Sequence, residues 1–166
     1  MDAIFRRRSI RKYTAEDVSE ADVEHLLRAA MAAPSAGNEQ PWHFVVIRDR
    51  ATLNAIPKFH PYAQMLREAP LAIVVCGDKA LAKYEGYWVQ DCSAAVENIL
   101  IAATDRGLGA CWLGLYPSPG RPEKTRELLG IPKHVTPLAA IAVGHPGEEK
   151  PPADRYDASR IHRDRW

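Results

Sequence analysis

Pro34-Ser35-Ala36-Gly37-Asn38-Glu39-Gln40-Pro41-Trp42 separates a helical pattern from a β-rich run, and its residue types specify a shaped turn. Pro34 and Gly37 end the helix before it, Asn38 tolerates left-handed backbone, and Pro41 holds Gln40 extended. The carboxamides of Asn38 and Gln40 donate and accept together, which suits the edge of a flat heterocycle with ring nitrogens and carbonyls. The plainer reading is a helix stop followed by a strand start. Trp42 either stacks near such a ligand or anchors the strand that follows.

Upstream of this turn, Ser19 offers an N-cap, and Val23, Leu26, Leu27, Ala30 and Met31 recur with helical spacing, leaving Glu20, Glu24 and Arg28 to solvent. Downstream, His43 to Ile47 and the wholly apolar Leu71 to Cys76 read as buried strands. Between them, Ala51 to Ile56 and Ala63 to Glu68 form short helices divided by Pro57 and Pro61, and the 57–68 segment could cover a site. Val89 to Arg106 is helical and apolar nearly all round, so it is either a central helix or a subunit interface. Ala110 to Leu115 and Leu138 to Gly144 give two more strands, separated by a helix from Pro122 to Leu129 that ends at Gly130 and Pro132. By itself this alternation favours a doubly wound α/β sheet. After Pro146 the chain turns polar and proline-rich, yet Tyr156, Ile161 and Trp166 persist, and such anchors need a surface to dock on.

The second chemically loaded segment is Arg6-Arg7-Arg8-Ser9-Ile10-Arg11-Lys12-Tyr13. Guanidinium groups bind phosphate bidentately, and a serine hydroxyl or backbone N–H completes such a cradle. A solvated basic helix end is the plain alternative. Nucleic acid is disfavoured by a net charge of +1, by the acidic residues from Glu16 to Glu24, and by the lack of interleaved aromatic platforms.

The 166 residues, 46% of them apolar, suit one soluble domain spanning 1–166. No apolar run reaches membrane-spanning length and no leader-like stretch opens the chain, so a cytoplasmic protein is expected. Cys76, Cys92 and Cys111 are odd in number without Cys-x-x-Cys spacing, and read as buried thiols. The six histidines lack an i, i+4 pair, so no metal site is expected. Gly107-Leu108-Gly109-Ala110-Cys111-Trp112-Leu113-Gly114 is not Gly-x-Gly-x-x-Gly and precedes a strand, which leaves a Rossmann site unsupported.

Arg-x-Ser-x-Arg at 7–11, Pro-Ser-x-x-Asn-x-Gln-Pro-Trp at 34–42, the segment 87–95, the run 107–117, and Asp154-Arg155-Tyr156-Asp157 through Arg160-Ile161-His162 resemble, in order and spacing, the short branch of the FMN-dependent nitroreductase family. The resemblance covers essentially the whole chain. It implies an α+β fold: an α-β-α sandwich with a mixed, largely antiparallel sheet and an exchanged C-terminal tail (147–166) docking on the partner of a homodimer. It implies tightly bound, non-covalent FMN, with NAD(P)H as electron donor in a ping-pong hydride mechanism and nitroaromatics, quinones or flavins as acceptors. No side-chain catalyst is then required. Carried over by position, Arg7, Arg8 and Ser9 serve phosphate and ribityl groups, and Arg11 the N1/C2 edge. Asn38 with Gln40, in the Pro34-Ser35 turn, addresses the pyrimidine edge from the partner. Leu113, Gly114 and Leu115 lie beside the ring, and Arg160, with Arg155 a weaker candidate, returns to the phosphate. A non-catalytic flavin-binding or sensing protein and a specialised flavin enzyme, for fragmentation or reductive dehalogenation, are the alternatives.

Overall fold

The apolar runs pair into one four-stranded antiparallel sheet in the computed structural model, which describes residues 2–166. Strands β1 (Trp42–Ile47), β2 (Leu71–Asp78), β3 (Gly109–Gly114) and β4 (Val135–Gly144) lie in the order β1-β2-β4-β3. β2 and β4 hold the centre and are buried at every position, which explains why they read as unbroken apolar runs. Successive side chains point to opposite faces. Leu71, Ile73 and Val75 join one core with Val23, Leu26, Trp42 and Ile99, whereas Ala72, Val74 and Cys76 join a second with Leu53, Ile56, Leu66 and Ile131.

Helices cover both faces. The first core lies under α2 (Glu20–Met31) and α4 (Tyr87–Asp105); α1 (Asp2–Arg6) packs on α4. The second lies under α3 (Arg50–Ala55), the 3-10 turns at 56–58 and 61–67, and α5 (Arg121–Leu129). This is the α+β sandwich the family resemblance implied, and not the doubly wound sheet that alternation alone suggested. The reason is connectivity: α3 and α5 each link strands that pair antiparallel, so they are no parallel crossovers. The sheet is also less mixed than expected, since the one parallel pairing among the described residues is an isolated bridge between Ser9 and Ala110.

Local signals act where they were expected. The Ser19 hydroxyl accepts the Asp22 N–H at 3.1 Å as the N-cap of α2, and Gly130 closes α5 in the left-handed region. Within this chain α4 is a central helix, with Cys92, Ala95, Val96, Ile99 and Ala103 fully buried and the Asn98 amide donating to Ala29 O at 2.9 Å. Three details differ from the sequence reading. Met31, placed on the apolar stripe, is 53% exposed at the end of α2. The short helix read from Ala63 to Glu68 starts earlier, at Pro61, and runs to Arg67 as a 3-10 helix kinked at Ala63. Gln40 is not extended but left-handed, for reasons given below.

Candidate functional site

The 35–40 turn is held from inside and from beneath. Gly37, Asn38 and Gln40 have φ of 52°, 53° and 48°. A non-glycine residue in this region costs about 1–2 kcal/mol, so two of them in three positions require compensation. The Ser35 hydroxyl accepts the Gln40 N–H at 3.0 Å, and the Gln40 amide donates to Asn38 Oδ1 at 2.9 Å. These two bonds fold Gln40 back over the turn and override the extended preference set by Pro41. Gly37 is required for space as well, because a Cβ there would meet the Tyr84 ring at 2.6 Å. Beneath the turn, Asp91 Oδ1 accepts the Ala36 N–H at 3.0 Å, and Glu39 Oε2 accepts the N–H groups of Lys83 and Tyr84 at 2.5 and 3.2 Å. Trp42 is buried in the core and anchors β1.

The basic segment wraps against the start of the tail. Arg7 Nε lies 3.2 Å from Glu97 on α4, and an Arg8 Nη1–H donates to Pro151 O. Ser9 bridges Ala110 on β3, and its carbonyl accepts from Lys150 Nζ at 2.8 Å. Arg11 N–H donates to Glu148 Oε1 at 2.6 Å, and Glu148 pairs with Lys150 at 3.0 Å. These contacts hold the Glu148 carboxyl below its usual range, the Arg11 N–H first among them. Arg8, Glu148 and Lys150 line one open cleft of about 450 Å3 with Ile10 and Gly107.

A second cleft of about 440 Å3 is lined by Arg11, His60, Tyr62, Trp112, Gly114 and Arg121, with Leu113 at its edge. Gly114 O receives Arg121 Nη1–H at 3.1 Å and lies 3.0 Å from His60 Nε2. A carbonyl only accepts, so His60 carries its proton on Nε2. Burial, then the Arg121 cation, pushes the His60 pKa down, and the imidazole is neutral at physiological pH. A Cβ on Gly114 would meet nothing within 4 Å, so the end of β3 offers bare backbone to the cleft. Leu115, the next residue, is fully buried; its N–H donates to Leu138 O and its carbonyl accepts from Ser118.

Of the residues singled out from sequence, Arg11, Leu113 and Gly114 meet in one cleft and Arg8 lines the other. Pro34 and Ser35 border a separate shallow surface with Tyr87, Gln90 and Asp91. No cleft described here contains both Arg11 and the 34–40 turn. Arg160 sits in the exposed 158–160 turn with its Nε 3.1 Å from Asp157, and Arg155, Tyr156 and Trp166 are likewise exposed. His60, Arg121, Glu148, Lys150, Glu39 and Asp91 were assigned no role from sequence, although Glu39 and Asp91 lie inside segments quoted there. Lys150 and Glu148 carried a signal as charges in the spacer after Pro146. Among the described residues, no group of three or more acidic, histidine or cysteine side chains is arranged to hold a metal ion.

Known proteins align with this geometry. The sequence profile of the nitroreductase family matches residues 4–63 and 54–145. A protein of Methanothermobacter thermautotrophicus, provisionally named NADH dehydrogenase/NAD(P)H nitroreductase, is 49% identical over 166 residues, covering 100% of this chain and 87% of its own. The crystal structure of a Parabacteroides distasonis protein with the same provisional name superposes with a TM-score of 0.96 at 41% identity, covering 99% of this chain and 97% of that one. A provisionally named nitroreductase of Desulfovibrio desulfuricans, solved in complex with FMN, reaches a TM-score of 0.85 at 35% identity, covering 99% of this chain and 96% of that one. With a family profile over most of its length and a relative aligned along all of it, this chain belongs to the nitroreductase family.

Proposed function

We propose that this protein is an FMN-dependent NAD(P)H oxidoreductase of one domain, with nitroaromatics, quinones or free flavins as acceptors. The observation that carries the reading is the cleft in which Arg11 meets the bare backbone of Gly114. A planar ring can lie close against a strand end that has no side chain, and a fixed cation beside it stabilises negative charge that develops on reduction. The residues therefore fit the cofactor found in the Desulfovibrio desulfuricans relative. Bound there, FMN supplies the electron transfer, accepting two electrons from NAD(P)H and releasing them to the acceptor.

The chain's own residues bind and orient. Arg8 and Ser9 hold the phosphate and ribityl groups, joined by Lys150, whose ammonium already reaches Ser9 O. Arg7 contributes by exchanging its partner Glu97. Arg11 faces the N1/C2 edge, and Leu113 and Gly114 flank the ring. Leu115 acts by fixing Gly114, since its own backbone groups and side chain are engaged. Neutral His60 and Arg121 anchor the same carbonyl and keep the strand end in place.

The second half of the site, Asn38 and Gln40 in the Pro34-Ser35 turn, comes from the partner of a homodimer. Three features support this: the turn and Arg11 share no cleft, Tyr156, Ile161 and Trp166 are exposed on the tail, and an apolar groove runs between Ile4, Ala29, Ala32 and Ile101. Arg160 reaches the phosphate once the tail docks. The protein works in the cytoplasm without membrane or nucleic-acid partners; no described helix is long and apolar enough to cross a membrane. The test is an absorbance spectrum of the purified protein, mass identification of the released chromophore, and anaerobic addition of NADH or NADPH. A yellow protein that releases FMN and bleaches promptly is expected. A protein that binds no flavin overturns the reading, and a yellow one that does not bleach reduces it to a flavin binder.

A further inference from the structure

Glu39 and Asp91 are carboxyl groups that the binding scheme does not use, and both are buried, at 8% and 5% exposure. Each spends one oxygen on the backbone: Asp91 Oδ1 on Ala36 N–H, Glu39 Oε2 on the N–H groups of Lys83 and Tyr84. Each leaves the other oxygen, Asp91 Oδ2 and Glu39 Oε1, buried with no donor. Both meet at one residue of the turn: the Ala36 N–H donates to Asp91 Oδ1 at 3.0 Å, and the Glu39 N–H donates to Ala36 O at 3.0 Å. Two buried acceptors left over as a pair lack one thing, a hydrogen between them, and leaving both unsatisfied carries the desolvation penalty of each. Two adjacent buried carboxylates cannot both hold full charge, and a single proton between them removes one charge while supplying the missing donor.

We propose that Glu39 and Asp91 share one proton and form a positioning pair that clamps the Asn38/Gln40 turn onto α4 and the 79–86 segment. The surroundings fit. From the 79–86 segment, Lys83 and Tyr84 meet Glu39 through backbone N–H groups. On α4, Tyr87 and Gln90 flank Asp91 at the surface, and the neighbouring Cys92 thiol is pushed up to about 12 by burial, so it brings no charge at neutral pH. No lysine, arginine or histidine among the described residues pairs with either carboxyl. Burial, followed by the Glu39 carboxyl, pushes the Asp91 pKa up. The sign follows: the clamp is complete at low pH and is lost as pH rises through that raised value, when the second charge appears under the turn. The 34–40 turn thus couples ligand contact on its outer side to one proton on its inner side.

The pair extends the flavin reading, and its test separates the two. Carboxyl 13C NMR titration of the unliganded protein is expected to show one carboxyl of the pair keeping its proton well above the ordinary range. If both titrate as ordinary carboxyls, the pair is refuted whatever the protein binds. FMN affinity is then followed from mildly acidic to mildly alkaline pH. Wild type is expected to weaken by up to about tenfold per pH unit above the pair's pKa. Asp91→Asn carries a permanent N–H toward Glu39, so it should bind near the wild-type low-pH level with a flat profile. Asp91→Ala should bind about tenfold more weakly at every pH. An Asn variant that keeps the wild-type slope, or binds as poorly as the Ala variant, overturns the proposal. Should Asp91→Ala fail to fold, the Asn variant and the NMR titration still decide it. Absence of any FMN binding refutes the flavin reading and leaves the carboxyl titration to judge the pair.

Discussion

Arg11 concentrates the chemistry of the proposed site, because its backbone is pinned by Glu148 while its side chain lines the Gly114 cleft. Arg11→Ala is expected to weaken FMN binding by about ten- to a hundredfold, the worth of a charged hydrogen bond, and to lower the flavin's reduction potential. Fluorescence titration and an anaerobic redox titration read the two effects; unchanged values in both would remove the assignment. His60 offers a second reading at this scale. Burial and the Arg121 cation hold its pKa down, so Arg121→Ala should raise the His60 titration point toward the ordinary range without abolishing the shift, as followed by imidazole NMR. Arg11, Asn38 and Gln40 could be singled out as candidates because their motifs are local. His60 and Arg121 were not, since what gives them meaning is one carbonyl, Gly114 O, that lies 54 positions beyond His60. Glu39 was read only as a turn residue, because burial of a carboxyl is a property of the packed loop and leaves no mark in spacing.

α2 shows how far an element can be read alone. Its period and its Ser19 cap were visible, and the cap acts with a distant partner: the Ser19 hydroxyl and Arg106, in that order, hold the Asp22 carboxyl below its usual range. A carboxyl with a lowered folded pKa adds stability that is present above the ordinary range and is lost as pH falls through the folded value. Asp22→Asn should therefore lower the urea midpoint at neutral pH and flatten its decline in acid. Ser19→Ala should cost about 0.5–2 kcal/mol in the same assay. Contact between elements is less legible. Gly77 in β2 looks replaceable in sequence, yet a Cβ there would stand 2.3 Å from the Trp88 ring of α4. Gly77→Ala is expected to cost about 1–3 kcal/mol through overpacking, with a matching fall in thermal midpoint. The existence of β2 and β4 was readable from apolar runs, but their adjacency was not, because nothing local reports which run lies beside which.

For the whole molecule, the tail divides at Pro152. Residues 147–151 are fastened to the Lys12, Arg11, Ser9 and Arg8 backbone or side chains, whereas 154–166 lie exposed. Removing 153–166 spares those contacts, so the proposed dimer predicts loss of both self-association and FMN retention with little loss of fold, measured by sedimentation and circular dichroism. An FMN-loaded dimer after this truncation would show that the tail anchors do nothing across subunits. The sandwich itself was legible only through family resemblance, since alternation of elements pointed to a different sheet. β2 and β4 now set a clock for the molecule. Each is flanked by strands on both edges and by helices on both faces, so their amide hydrogens can meet deuterium only when the entire sheet comes apart. The 35–40 turn, the Arg11 segment and the tail border that frame and can open singly. In a deuterium-uptake experiment they should label early and slow down when ligand is added, while the uptake of β2 and β4 measures the free energy of unfolding the whole chain.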